Sequence, residues 1–376
     1  MQVLIVTPIF PPEIGGPATY VYEVGTRLSP KHDLKIVTFG NQVDKLKGVP
    51  VKNIPLTGGP LARQARLFAA IWHQSKKTDL IYAQGPFVVG LAANLVAKLR
   101  RKPVVMKFVG DLVWETARGH GHTQKFLDDF LDKPDTGLKD RIKIRIQRWS
   151  FNQAKTVVVP SNYLKSVLTK FYHLPAKKVR VIYNAMDQEL FKKIKKHPSN
   201  QKTKLVTVGR LVKWKHVDEI IQAVHQLQDK NIQLHIVGEG PEKPALQKLA
   251  HKLGLQKQVV FEGQCSHQET LELVGSSNVF ILNSSYEGLP HTVIEAMLLN
   301  VPVIATRIKG TTEIAIPSKT AFLSEPGNPT DLAKQIQDCL QDSKTRDKYI
   351  KAASDLAFKN FNWTQNLTNL QEVWKS

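Results

Sequence analysis

The sequence predicts two doubly wound α/β units in tandem, and three observations support this. The chain has 376 residues, more than one hydrophobic core ordinarily organises. Short β-rich runs alternate with longer amphipathic stretches almost from end to end, the pattern of strand–helix–strand units around a parallel sheet. Several of the runs are apolar at nearly every position, as strands covered on both faces must be.

In the first half, strands are expected at 3–7, 34–38, 51–54, 80–83, 104–107, 156–159 and 179–183. In the second half they are expected at 205–208, 233–237, 259–262, 279–282, 301–305 and 321–323. Helical spacing falls between them, for example over 215–229, 241–254, 290–299 and 329–342. The boundary is expected within 185–203, where a short helix over 190–194 gives way to a polar stretch over 195–204 containing Pro198, Ser199 and Asn200. The expected units are therefore 1–185 and 186–360. The last segment, 361–376, reads as an amphipathic helix that could pack on either unit and is assigned as returning to the first.

Composition narrows the function classes. Hydrophobic residues make up 42% and charged residues 23% of the chain, which is ordinary for a globular protein and leaves no disordered tract. Two cysteines, Cys265 and Cys339, argue against a disulfide framework and fit a reducing cytosol. No Cys/His cluster has metal-ligand spacing, so no metal site is assigned. MQVLIVTPIF at the start has no basic leader or small-residue cleavage site and reads as a first strand. No apolar run reaches the length of a membrane span. The formal charge of +21 is concentrated early: residues 1–190 carry 29 basic against 14 acidic side chains, the remainder 24 against 18. Nucleic acid, an anionic membrane surface and an acidic substrate are the partners such a balance suggests.

In open α/β sheets, ligands bind at the carboxyl ends of the strands, so residues just after strands are the candidates. SSYEGLPHTVIEAM, 284–297, follows the strand ending at Leu282. Pro290 suits a helix start. Glu287 lies in the loop and Glu295 lies inside the helix, so both carboxylates can face one space, while free N–H groups near Gly288 and Leu289 favour a phosphate. A solvated acidic loop would look the same. In VGRLVKWKH, 208–216, Arg210 and Lys215 follow a strand and can clamp a diphosphate, Arg as a fork of donors and Lys as a mobile charge. Ordinary surface basicity is the alternative. VGEGPE, 237–242, places Gly238 and Gly240 where backbone can approach a flat ligand, or where a strand simply turns into a helix. PIFPPEIGGPATY, 8–20, puts Gly15 and Gly16 between the first strand and first helix, but lacks the spacing of a dinucleotide fingerprint. KFVGDLVWE, 107–115, sets Asp111 at a strand end with Trp114 and Glu115 behind it, a combination suited to sugar hydroxyls and faces, or to a plain loop.

In this order, these segments resemble the retaining glycosyltransferases of family 4 (glycosyl transferases group 1), which have the GT-B fold of two Rossmann-like domains facing across a cleft. The resemblance covers nearly the whole chain. It rests on Gly15–Gly16, NAMD at 184–187, GRLVKWK at 209–215, GEGP at 238–241, Glu262–Gly263, the pair Glu287 and Glu295 in EGLPHTVIEAM, and PVIATR at 302–307. It implies that Arg210 and Lys215 bind the donor diphosphate. Glu287 would hold hydroxyls of the transferred sugar and Glu295 the donor ribose. Backbone around Gly238 and Gly263 would line the base pocket, and Gly16 would approach the phosphates. One departure stands out: Val109 occupies the position where many members carry a His, so no catalytic His is assigned and Asp111 is the candidate for a polar role there.

The expected reaction is transfer of a sugar from a UDP- or GDP-linked donor to a hydroxyl of a lipid-linked or cell-envelope glycan, without metal or cofactor, the nucleotide sugar being a substrate. KDRIKIRIQRW, 139–149, alternates basic and apolar residues and could lie on an anionic membrane surface, consistent with a cytoplasmic enzyme attached peripherally to the inner face of the membrane. A sugar-nucleotide epimerase of the same fold is the alternative. A nucleic-acid-binding protein would explain the charge but not two glutamates placed at a strand end, so nucleic acid is not expected as a partner.

Overall fold

A computed structural model describes residues 1–13, 15–194 and 202–376. Most of the polar stretch expected over 195–204 lies outside the described residues. Contacts divide the chain into two compact units. Unit 1 comprises Met1–Trp114, Phe130–Ile182 and Asn366–Ser376; unit 2 comprises Glu115–Asp129 and Tyr183–Gln365.

Unit 1 is built on β1 (Gln2–Thr7), β2 (Asp33–Phe39), β3 (Val51–Ile54), β4 (Leu80–Gln84), β5 (Val104–Lys107), β6 (Thr156–Val159) and β7 (Val179–Val181). They form a parallel sheet in the order β3-β2-β1-β4-β5-β6-β7. Val3, Leu4, Ile5 and Val6 of β1 are all fully buried, because helices cover both faces of a parallel sheet. Those helices are α1 (Gly16–Leu28), α2 (Pro60–Gln74), α3 (Gly90–Arg100), α6 (Leu138–Gln153) and α7 (Asn162–Lys170); between β5 and α6 come α4 (Leu112–Gly119) and α5 (Leu127–Asp132), whose residues 115–129 belong to unit 2. Ser161 caps α7 by accepting from Leu164 N.

Unit 2 has β8 (Thr203–Val208), β9 (Ile232–Val237), β10 (Val259–Gly263), β11 (Val279–Leu282), β12 (Val303–Thr306) and β13 (Phe322–Ser324) in the order β10-β9-β8-β11-β12-β13. Its helices are α8 (Gln188–Lys193), α9 (Val217–Leu227), α10 (Lys243–Lys252), α11 (His267–Gly275), α12 (His291–Leu298), α13 (Lys309–Thr312), α14 (Pro329–Gln341) and α15 (Ser343–Asn360), and α16 (Trp363–Lys375) closes the chain. Two apolar clusters fill this unit. One joins α11, α12 and α15 to the sheet; the other joins α9, α10 and α14. The doubly wound reading therefore holds in both units, and each expected strand forms within a residue or two of its anticipated limits.

The expected units were 1–185 with the returning terminal helix, and 186–360; the observed division departs from them at residues 115–129 and starts the returning segment at Asn366. Residues 115–129 cluster with unit 2, where Gly119 packs under the Trp214 ring and Asp128 pairs with Lys309. From Asn366 onward the terminal helix clusters with unit 1: Tyr20 Oη donates to Asn366 Oδ1 at 3.4 Å, and the Trp374 ring meets Tyr82 and His32 edge-on. Pro290 precedes α12 as its cap instead of occupying its first turn.

Candidate donor site in unit 2

The carboxyl ends of β8, β9 and β10 are fused backbone to backbone. Gly209 N donates to Val237 O at 3.0 Å, Leu211 N to Glu239 O at 2.9 Å, and Gly238 N to Gly263 O at 2.7 Å. This seam needs its glycines. A Cβ on Gly238, whose φ is +129°, would sit 2.1 Å from Gly209 O, and one on Gly240 would sit 2.2 Å from Leu211 O. The close approach expected here of a flat ligand is thus made first by another strand end. Gly263 has φ +71° after a bulge in β10, which also sets Glu262 Oε1 2.6 Å from His235 Nδ1.

The seam leads Arg210 and Lys215 out of β8. Both border a crevice floored by Gly209, Val237 and Leu282. Arg210 is exposed, with its guanidinium able to reach a ligand. Lys215 Nζ lies 2.5 Å from Glu287 Oε1, the two side chains being 20% and 13% exposed. An ammonium carries three donors, so this pair aims Lys215 while leaving N–H groups for a second anion. The loop carrying Glu287 is tied to the same segment: Ser285 N donates to Trp214 O at 2.8 Å, and Asn283 Nδ2 donates to Glu219 Oε2 at 2.6 Å. Burial works against the charge of Glu219, but hydrogen bonds from His216 and Asn283 outweigh it and hold its carboxyl below the usual range.

The other expected residues divide. Glu295, on α12, is 2.9 Å from His267 Nε2, and that hydrogen bond raises the imidazole pKa against the opposing effect of burial. Gly288 is buried, and the Leu289 side chain packs into the core, so Leu289 can meet a donor only through its backbone. Gly15 and Gly16 lie in unit 1. A Cβ on Gly16 would meet nothing within 4 Å, so the fold itself does not demand glycine there. Sequence reasoning passed over His291, whose Nε2 lies 2.6 Å from Asn184 Nδ2. Both residues lie in segments already singled out, NAMD and EGLPH, but the contact between them spans 107 positions and leaves no sign in the sequence.

Asp111 requires a correction. Its carboxylate is fully buried in unit 1. Oδ1 accepts from Val113 N at 3.1 Å and Trp114 N at 3.0 Å, which caps the start of α4, and Tyr172 Oη and Gln147 Nε2 approach from the other side. Burial pushes its pKa up, and these donors pull it only partly back. A carboxylate so enclosed acts as a structural anchor, out of reach of a sugar. Asp111→Ala should destabilise the protein by about 2–4 kcal/mol, by stripping a buried network of its acceptor. Chemical denaturation would show this, while nucleotide affinity stays unchanged.

Two family models together match most of the chain: Glycosyltransferase Family 4 over 14–190 and Glycosyl transferases group 1 over 187–355. The chain belongs to the family 4 glycosyltransferases. An uncharacterised glycosyltransferase of Methanocaldococcus jannaschii is 25% identical over 98% of this chain and 97% of its own length. A phosphatidylinositol N-acetylglucosaminyltransferase component from Arabidopsis thaliana is 23% identical over 90% of this chain and 74% of its own length. Among solved structures, Anabaena HepE in complex with UDP and glucose superposes with a TM-score of 0.80 at 21% identity, covering 100% of this chain and 99% of that one. At that identity the likeness speaks for the fold, a GT-B arrangement of two parallel-sheet units.

Proposed function

We propose that this glycosyltransferase is retaining and metal-independent, moving a sugar from a UDP- or GDP-linked donor to a hydroxyl of a lipid-linked or cell-envelope glycan. The observation that carries the reading is the Lys215–Glu287 pair beside Arg210 at the carboxyl ends of β8 and β11. Two cations there offset charge developing on a departing diphosphate. The bond from the sugar to that phosphate breaks while the acceptor oxygen bonds to the same face. The acceptor proton passes to a leaving phosphate oxygen. Glu287 holds sugar hydroxyls and Lys215 together, and Glu295 takes the ribose in exchange for His267. Gly16 of unit 1, with open space above it, suits a phosphate, and the backbone at Gly238 and Gly263 suits the base.

The acceptor side of the proposal is supported by the interleaved basic and apolar residues of α6 and by a relative named for a phosphatidylinositol substrate. An enzyme of this kind would work at the cytoplasmic face of a membrane. No described helix is long and apolar enough to cross one. The relatives named above are transferases, which does not favour the epimerase alternative.

A thermal-shift panel of UDP-, GDP- and ADP-sugars tests the donor. The correct nucleotide sugar at a hundredfold excess over its Kd should add about 2.7 kcal/mol of stability. If no nucleotide sugar shifts the unfolding, the reading fails. Duplex DNA should not displace the bound nucleotide.

A further inference from the structure

A contact that a ribose would have to break crosses the donor site of unit 2. His267 opens α11 just after Gly263, so it stands at the carboxyl end of β10, beside the backbone assigned to the base. Glu295 comes from α12, which follows β11. The two meet at 2.9 Å, His267 Nε2 to Glu295 Oε1. The imidazole side chain is 58% exposed and the glutamate only 13%. Among the described residues, His267 is the one hydrogen-bond partner of this carboxylate.

The charge on the ring depends on that contact. The hydrogen bond to Glu295 raises the imidazole pKa, burial opposes it, and the negative charge of Glu295 adds to the rise. Neighbouring groups are engaged elsewhere. Glu269 accepts from Ser266 N in the capping box of α11. Glu262, on β10, faces His235. The Cys265 thiol is pushed up by burial and by Glu262 and Glu269, so it stays neutral. His267 is also the first residue of α11, and the amino-terminal end of a helix disfavours a cation. A ribose diol brings two hydroxyl donors, and a carboxylate meets them with both its oxygens. Seating the diol takes Oε1 from His267 and leaves the ring with little reason to keep its charge.

We infer that His267 is a positioning residue for the donor ribose: it holds the Glu295 carboxylate before the donor binds, then gives it up, with a proton, when the ribose hydroxyls arrive. The proton passes from the imidazolium to bulk water, and the neutral ring is left facing solvent. No bond of the donor is made or broken in this exchange. Such coupling is reciprocal, so nucleotide expels a proton and acid expels nucleotide. His267 has its higher pKa before binding and its lower one after. Donor affinity is therefore weakest below both values and strongest above both. Between them it climbs with pH, by at most about tenfold per unit for a single proton. The inference rests on the donor reading above, with Glu295 on the ribose.

The test uses the full chain with UDP and GDP and with their 2′,3′-dideoxy counterparts, which lack the diol. Calorimetry in buffers of different ionisation enthalpy counts the protons released. Whichever of UDP and GDP binds should release more protons than its dideoxy form, by up to about one. The phosphates are alike within each pair and cancel. The difference should vanish in His267→Gln, whose amide still reaches Glu295 but does not titrate. With the nucleotide sugar that best stabilises the protein, the donor KM should fall as pH rises through this window in the parent and stay level in His267→Gln. The pH profile of kcat should be the same in both. Without nucleotide, Glu295→Gln should lower the pKa of the His267 ring as followed by NMR. The proposal is overturned by equal proton release from diol and dideoxy nucleotides, by a KM profile that survives His267→Gln, or by a His267 pKa that ignores Glu295→Gln. The dideoxy comparison is made on the parent protein, so it decides even if a variant folds poorly. Binding of UDP or GDP without the proton difference sinks this inference and leaves the donor reading standing; binding of neither sinks both.

Discussion

Lys215→Ala is expected to lower sugar transfer by about 10²–10³-fold in kcat, the cost of removing one preorganised electrostatic stabiliser of developing charge. The loss should fall on kcat more than on KM, because the leaving diphosphate gains charge only as the glycosidic bond breaks. Lys215→Arg should recover part of the rate by keeping the charge, but a planar fork fits the aim set by Glu287 poorly. Glu287→Gln should slow transfer for a different reason. Lys215 keeps a hydrogen-bond acceptor but loses its counter-charge, and the sugar hydroxyls lose a charged partner. Steady-state turnover of the nucleotide sugar that best stabilises the protein measures all three. Wild-type turnover by folded Lys215→Ala would remove this residue from the reaction.

The second large effect is on stability. Gly238→Ala is expected to cost about 3 kcal/mol or more. The added methyl group would lie 2.1 Å from Gly209 O, far inside contact distance, in a backbone whose φ of +129° an L-residue rarely adopts. Neither obstacle can move cheaply, since the atom met is backbone and is held by the hydrogen bond from Gly209 N to Val237 O. Thermal unfolding should show the loss, with donor affinity reduced because Arg210 leaves the same seam. Gly16→Ala, with open space around it, should leave stability nearly unchanged.

The fold was legible because burial on both faces writes itself into the sequence: β1, β6 and β11 are runs of apolar residues that no exposed segment would carry. Lys215 and Glu287 were legible as strand-end residues, though their contact, spanning 72 positions, was not. Asp111 was misread because a carboxylate after a strand looks alike whether it faces a ligand or turns back to cap a helix. What decides is Gln147 and Tyr172, 36 and 61 residues away. His267 was invisible for the same reason: nothing in its neighbourhood hints at Glu295, 28 residues on. Gly238 was read as a point where backbone approaches a flat ligand; the approach the structure shows there is that of Gly209, at the end of a neighbouring strand.

The way the chain shares residues between its units bears on how such proteins can be recombined. The backbone passes from one unit to the other after Trp114, Asp129, Ile182 and Gln365. A chimaera that exchanges the donor-binding half at a single junction would therefore carry a foreign 115–129 segment under Trp214, or a foreign terminal helix against Tyr20 and Tyr82. Grafting new donor specificity onto this scaffold calls for four splice points, with Asn366–Ser376 inherited alongside residues 1–114.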